Sequence, residues 1–481
     1  MKDKRIPDKN SRFSFTGDPG FCSSINHYIQ HNHMGGGDNE VRICAIAGRE
    51  TLAALLEKEP DCDLYILGSG LVADIYENNR GLYQLYEDTQ AEILKEKQIN
   101  SEFIKLMQTD SLFHLLKKNK GAVIPADKRR VHCFWPWFNM YLRGDIVEWC
   151  CGYNHTGDRL TQEGCENADI MTWWNHEAFK TVRRVISDRD VKGNCSRCHN
   201  LYFNQFFPYV FDFQLLNKHQ EANLTSAVHQ YWQKAYALDS SPVRYELITT
   251  FRCNINCIMC NQDMYKHNRY ALTGEFFVKN REKLSRAVQI SLLGGEFFFL
   301  EESRNIIKEL GRDEYMDTQI MFITNGLQID KFFDDLVNIK KALFSISLDG
   351  VGATYEAIRK GSKWHRVENN LFRLRELIRE RALDWEIQIP SVVMHESIKG
   401  LGEFTDWCIE HNFSPSFIKM EHVEGVTESQ DVFRSRELLN SIDNWKEIFS
   451  DALDKLEKNK LYNSYYTLGS IYKSLLNRDG K

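Results

Sequence analysis

From about residue 243 the chain settles into a rhythm of short apolar strand, loop and amphipathic helix, and this rhythm narrows the possible folds more than any other feature. The candidate strands are VRYELIT (243–249), VQISLLGGE (288–296), QIMFITNG (319–326), ALFSISLDG (342–350), DWEIQIPSVVM (384–394) and PSFIKMEHV (415–423). Helical patterns such as EESRNIIKELG, LQIDKFFDDLVNIKK and NNLFRLRELIRE separate them. Apolar strands that alternate with amphipathic helices predict a parallel sheet with right-handed crossovers. Six such units suit an open, partial (β/α)6 TIM-like barrel, whose chemistry belongs at the carboxyl ends of the strands. The segments FRCNINCIMC, GGE, TNG and SLDG each follow directly on a strand, so all four are expected at one mouth.

The chain has 13 cysteines. In a reducing compartment, clustered cysteines point to metal or redox chemistry more than to disulfides. Cys253, Cys257 and Cys260 form a C-x3-C-x2-C set on the first of these loops. A closed zinc site wants four ligands, usually in two pairs, and four-iron clusters usually take four cysteines. Three thiols on one loop would leave one iron without a protein ligand, an open position for a substrate or cofactor. The competing reading is half of a zinc site completed by cysteines elsewhere.

The C-x3-C-x2-C loop after the first strand of a β/α barrel resembles the radical S-adenosylmethionine (SAM) superfamily. The ordered companions on later strand ends extend the resemblance: GGE with Glu296, TNG with Asn325, and SISLDG with Ser347 and Asp349. The stretch YEAIRKGSKWHRVENNLFRL adds Arg359 and a Val-x-x-Asn. Together they span roughly residues 243–425. The resemblance implies a [4Fe-4S] cluster on Cys253, Cys257 and Cys260, with SAM on the open iron. Glu296 would take the SAM amino group, Ser347 and Asp349 the ribose or the methionine end, and Arg359 the carboxylate. Met259 stands where the family usually has an aromatic residue over the adenine, and a methionine can pack on a ring through its sulfur. Phe297 stands where a proline often follows GGE. Taken singly, Asn325 and Asp349 read as turn residues and Arg359 as a surface helix arginine. No further catalytic residue is assigned.

A second cysteine group precedes the barrel. VHCFWPWFNMYLRGDIVEWCCGYNHTGD contains a readable hairpin with a Gly-Asp turn, and IMTWWNHEAFKTVRRVISDRDVKGNCSRCHN follows it. The stretch is similar to the auxiliary-cluster (SPASM or twitch-type) domain of many radical SAM enzymes, although that domain more commonly follows the barrel. The resemblance implies Cys133, Cys151, Cys195 and Cys198 as ligands of an auxiliary iron–sulfur cluster, with Cys150 as the alternative to Cys151. A structural zinc ion is the alternative metal. Cys165 is left out of the set. His27, His31 and His33 read as part of a mobile arm.

Five regions result: a flexible arm at 1–38, a small α/β module at 39–128, the auxiliary iron–sulfur domain at 129–215, the barrel at 240–425 and a helical extension at 426–481. With 42% hydrophobic residues, a net charge of −6 and no long one-sign run, nucleic-acid and membrane partners find no support. The N-terminus lacks the apolar core of a signal peptide, and a cytoplasmic location is expected. The function expected is an oxidoreductase-type radical SAM maturase acting on a peptide or protein, with an electron donor such as flavodoxin or ferredoxin. The alternatives are a radical SAM dehydrogenase or epimerase of a small molecule such as an amino sugar, and a zinc-binding interaction protein.

Overall fold

The computed structural model describes residues 12–16, 40–46, 64–67, 133, 135–143, 146–149, 160–161, 169–187, 217–260 and 270–476. The chain divides into two compact units, one of residues 1–123 with 205–211, the other of 124–204 with 212–481. In the first, β1 (Arg12–Thr16), β2 (Glu40–Ile46) and β3 (Leu64–Leu67) form a parallel sheet in the order β1-β2-β3. EVRICAIAG and CDLYILG therefore form the strands expected of them. The expectation of a loose arm over 1–38 does not hold at β1, where RFSFT has the aromatic alternation that favours a strand and pairs Arg12 with Glu40. The helix expected at ETLAALLEKE, and the remainder of that module, lie outside the described residues.

The second unit is built on one nine-stranded sheet. The hairpin supplies β4 (Asn139–Arg143) and β5 (Ile146–Glu148), followed by β6 (Leu160–Thr161). The barrel supplies β7 (Arg244–Thr250), the short β8 (Asn256–Cys257), β9 (Gln289–Gly294), β10 (Gln319–Thr324), β11 (Lys341–Ile346), the short β12 (Arg359–Lys360), β13 (Asp384–Val393) and β14 (Pro415–Lys419). The order is β14-β13-β11-β10-β9-β7-β4-β5-β6. From β14 to β4 every neighbouring pair is parallel, while β4–β5 and β5–β6 are antiparallel. All six barrel strands expected from the sequence are present. The hairpin is present too, and it extends the barrel sheet: Tyr141 pairs with Glu246 on one side and with Glu148 on the other.

Helices α1 (Glu177–Ser187) and α2 (Lys218–Trp232) precede the barrel, and α3 (Glu302–Leu310), α4 (Gly352–Ile358), α5 (Trp364–Arg381) and α6 (Leu401–Glu410) cross between its strands. In the C-terminal extension, α7 (Trp445–Lys458) and α8 (Tyr462–Leu476) pack on one another. The core is the helix-facing side of the sheet. Phe322 stacks on Phe344 at 5.1 Å, Phe298 lies 5.5 Å from Phe322, and Trp385 continues the row 5.1 Å from Phe344. Burying each such side chain stabilises the fold by about 1.5–3 kcal/mol. Phe297, 5.4 Å from Phe322 and buried, belongs to this core, which accounts for its place after GGE.

Two devices finish the sheet. At one margin, α8 covers β14: Ser464 Oγ donates to the Pro415 carbonyl at 2.6 Å, and Thr467 Oγ1 accepts from the Phe417 N–H at 3.3 Å. At the other end, the WN dipeptide fastens the auxiliary stretch to the chain that leads into β7. Trp174 Nε1 donates to the Ser240 carbonyl at 2.8 Å, and Asn175 both donates to and accepts from Leu238, at 2.8 and 2.7 Å. Among the described residues no helix is long and apolar enough to cross a membrane.

Candidate active site

The loop after β7 carries the three thiols, all half-buried. It is shaped by its neighbours. Gly294 has φ +135°, and a Cβ there would lie 2.3 Å from the Thr250 carbonyl; at Gly295 a Cβ would lie 2.0 Å from the Arg252 carbonyl. Only glycine lets the second strand end pass this close to the cysteine loop. Gly295 N–H then donates to Thr250 at 2.6 Å and Glu296 N–H to Arg252 at 2.9 Å. On the far side, β8 pairs antiparallel with β12, setting Cys257 opposite Arg359.

Cys253, Cys257, Cys260, Met259, Asn325, Ser347 and Arg359 all line one cavity of about 700 Å³, a size within the usual range of small-molecule and cofactor sites. Asn325 Nδ2 donates to Asn254 Oδ1 at 2.8 Å and lies 4.0 Å from Cys253 Sγ. Ser347 is held by its N–H on the Thr324 carbonyl at 3.0 Å.

Glu296 and Asp349 act from behind this lining. The Glu296 side chain is fully buried and accepts from Phe298 N–H at 3.1 Å, Thr324 Oγ1 at 2.6 Å and Asn325 N–H at 2.8 Å, so GGE and TNG are locked together through one carboxylate. Burial pushes this carboxyl above its ordinary range, opposed by those three donors and by Arg359. Three of its roughly four acceptor positions are used. Asp349 accepts from Val392 N–H at 2.8 Å and forms a buried ion pair with Arg359 at 2.7 Å. Arg359 Nη1 reaches Cys257 Sγ at 3.8 Å, and its Nε has no hydrogen-bond partner. Burial alone would lower the guanidinium, but Asp349 and Cys257 outweigh it and hold it above its ordinary value. The Val-x-x-Asn supports the same turn: Asn370 Nδ2 donates to the Gly326 carbonyl at 2.8 Å.

Burial pushes Cys257 up to about 12, with Arg359 opposing, and it also raises Cys253. Half-buried thiols of this kind become thiolates when a cationic centre arrives to offset their charge. Three thiols on one short loop match a four-iron cluster with one iron left open, whereas a closed zinc site wants four ligands.

The sequence also left lining residues unnamed. Arg252 stands on the cysteine loop, and Ile418, Lys419, Met420 and Glu421 form a wall at the end of β14. Their signal was position: PSFIKMEHV is the sixth strand, and its end faces the same mouth as the other strand ends. Of the second cysteine group only Cys133 is described, half-buried; Cys150, Cys151, Cys165, Cys195 and Cys198 lie outside the described residues, as do the three N-terminal histidines.

An open β/α barrel with a three-thiol loop and a cofactor-sized cavity at its mouth defines the class of site. Residues 247–407, about a third of the chain, match the family model of the Radical SAM superfamily. Among solved structures, it resembles Streptococcus suis SuiB bound to S-adenosylmethionine at 16% identity, over 66% of this chain and 69% of that one, with a TM-score of 0.35. It resembles anSMEcpe with bound AdoMet and Cp18Cys peptide at 18% identity, over 45% and 60%, with a TM-score of 0.31. The methyltransferase TsrM from Kitasatospora setae follows at 13% identity, over 34% and 33%, with a TM-score of 0.27. A search of curated proteins finds no match.

Proposed function

We propose that this chain is a radical SAM maturase of the oxidoreductase type, acting on a peptide or protein with the help of an auxiliary iron–sulfur centre. Cys253, Cys257 and Cys260 hold the [4Fe-4S] cluster, and Cys133, Cys151, Cys195 and Cys198 hold the auxiliary one. When bound, cluster and SAM together supply a reductively generated 5′-deoxyadenosyl radical that takes a hydrogen atom from the substrate. The residues of the chain bind, orient and shield. Arg359 has a donor to spare at Nε for the SAM carboxylate. Glu296, behind the lining, has one acceptor position left for the amino group, Asn325 and Ser347 present polar groups to the cavity, and Met259, which also lines it, offers its thioether to the adenine. Asp349 fixes Arg359, not the ribose, in this arrangement. The observation that carries the reading is the meeting of three thiols with Asn325, Ser347 and Arg359 in one cavity inside the matched segment.

The test is anaerobic purification followed by iron analysis, with about eight irons per chain expected if both centres are four-iron cubes. Addition of SAM and dithionite should release 5′-deoxyadenosine and methionine, and Cys257→Ala should abolish that release. A colourless protein containing only zinc would refute the proposal. Supplying candidate peptides beside amino sugars, and following deuterium transfer into 5′-deoxyadenosine, separates a peptide substrate from a small one.

A further inference from the structure

The cavity at the strand ends carries two cations that the fold leaves without an anion. Arg252 stands just beyond β7 and Lys419 is the last residue of β14, so they come from the first and last strands of the barrel. Both line the cavity, and both are exposed. Each is seated on a ring: the Arg252 guanidinium lies 5.3 Å from the centre of Phe299, and Lys419 Nζ lies 4.9 Å from that of Phe433. A ring steadies a cation without using its N–H donors. Among the described residues neither side chain donates a hydrogen bond or meets a carboxylate. Elsewhere in this unit Arg281 meets Glu309, Arg304 meets Asp335 and Lys455 meets Asp406.

The other charges of the cavity do not answer these two. Arg359 is matched by Asp349 at 2.7 Å. Glu421, also exposed, is the one carboxylate among the lining residues, and it forms no ion pair among the described residues. Two cations against one carboxylate leave a surplus of one positive charge at the mouth. The net charge of the chain is −6, so the molecule as a whole repels anions and the surplus is local. Ile418, 47% exposed, and Met420 flank Lys419, so the cationic mouth adjoins an apolar wall. A few placed polar groups beside apolar walls are what fix the orientation of a bound molecule in such a cavity.

We infer that Arg252 and Lys419 are specificity-determining residues that grip a carboxylate of the substrate. The inference rests on the reading of this chain as a radical SAM enzyme acting on a peptide, and it names the chemistry of that peptide: one carboxylate close to an apolar side chain. An acidic side chain and a C-terminus present the same pair of oxygens. Arginine offers them a fork of donors, and lysine a point charge. One surplus charge matches one carboxylate, not a run of acidic residues.

The test is affinity selection with the full chain, purified anaerobically, without and with saturating SAM. The probe is a degenerate pentapeptide library with acetylated N-termini, made once with free and once with amidated C-termini, and the bound fraction is read by mass spectrometry. The parent should enrich carboxylate-bearing peptides about tenfold over their Asn, Gln or amide counterparts, the worth of one hydrogen bond to a charged group. Preference for Asp and Glu within the amidated library identifies an acidic side chain as the ligand; preference for free over amidated ends alone identifies a C-terminus. Lys419→Gln and Arg252→Gln should each weaken the enrichment and together abolish it, and the double variant R252E/K419E should turn the preference toward Lys and Arg. Circular dichroism reports the fold of each variant. No enrichment by the parent, or enrichment unchanged in folded K419Q or in the folded double glutamine variant, overturns the inference. Enrichment that vanishes when SAM is added assigns the cations to the SAM carboxylate and overturns it as well. Release of 5′-deoxyadenosine by the same parent preparation keeps the two readings apart: no release with enrichment retained strikes the radical SAM reading and leaves carboxylate binding standing.

Discussion

The Asp349–Arg359 pair offers the sharpest quantitative test of the site. The Asp349 side chain is 1% exposed, that of Arg359 is 9% exposed, and they meet at 2.7 Å. In Asp349→Asn the amide oxygen can still accept from Val392 N–H, as Oδ1 does at 2.8 Å. What disappears is the countercharge of a buried guanidinium. Removing one partner of a buried ion pair costs about 3–5 kcal/mol, whereas replacing both with apolar groups of similar volume is often neutral or stabilising by about 1–4 kcal/mol. D349N should therefore lose about 3–5 kcal/mol, and the double variant D349L/R359M should recover at least 3 kcal/mol of that loss. Urea unfolding of the full chain, followed by tryptophan fluorescence, measures both. The reasoning fails if D349N costs less than about 1 kcal/mol, or if the double variant is as unstable as the single.

Two further outcomes follow from the strand ends. Gly295→Ala places a methyl 2.0 Å from the Arg252 carbonyl, so the cysteine loop must move; the expected cost is about 1–3 kcal/mol of stability and about 10²-fold in 5′-deoxyadenosine release from misplaced ligands, read by urea unfolding and by chromatography of the product. Burial raises the Glu296 carboxyl above its ordinary range. An acid with a raised folded value contributes stability below its unfolded value and loses it as pH rises from there through the folded value. Stability should fall over that window in the parent, and the slope should flatten in Glu296→Gln; equal slopes in the two proteins would contradict the assignment.

Much of this was legible in the sequence because it is local. Alternating strands and helices, glycines at close approaches and a short hairpin leave their pattern within a few residues. The parallel pairing of Asn139–Arg143 with Arg244–Thr250 left none, since the two strands lie far apart along the chain and nothing local specifies a distant neighbour. Arg359 is singled out in the sequence only by the resemblance to the family. Read alone it belongs on a helix surface, whereas it caps α4, pairs in β12 and faces a carboxylate brought in from another strand end. Glu296 is singled out by its place at a strand end, but its three bonds to the next two turns depend on packing that periodicity does not encode.

The hairpin's place in the sheet also limits how this chain can be taken apart. Cutting it between the auxiliary stretch and β7 would strip the first barrel strand of its neighbour and leave a bare row of amides beside the thiol loop, an invitation to intermolecular pairing. The opposite margin has its own cover in Ser464 and Thr467; among the described residues, β4 is what pairs with β7 on this side. The two cysteine-bearing segments share one continuous sheet and are to be expressed and unfolded together.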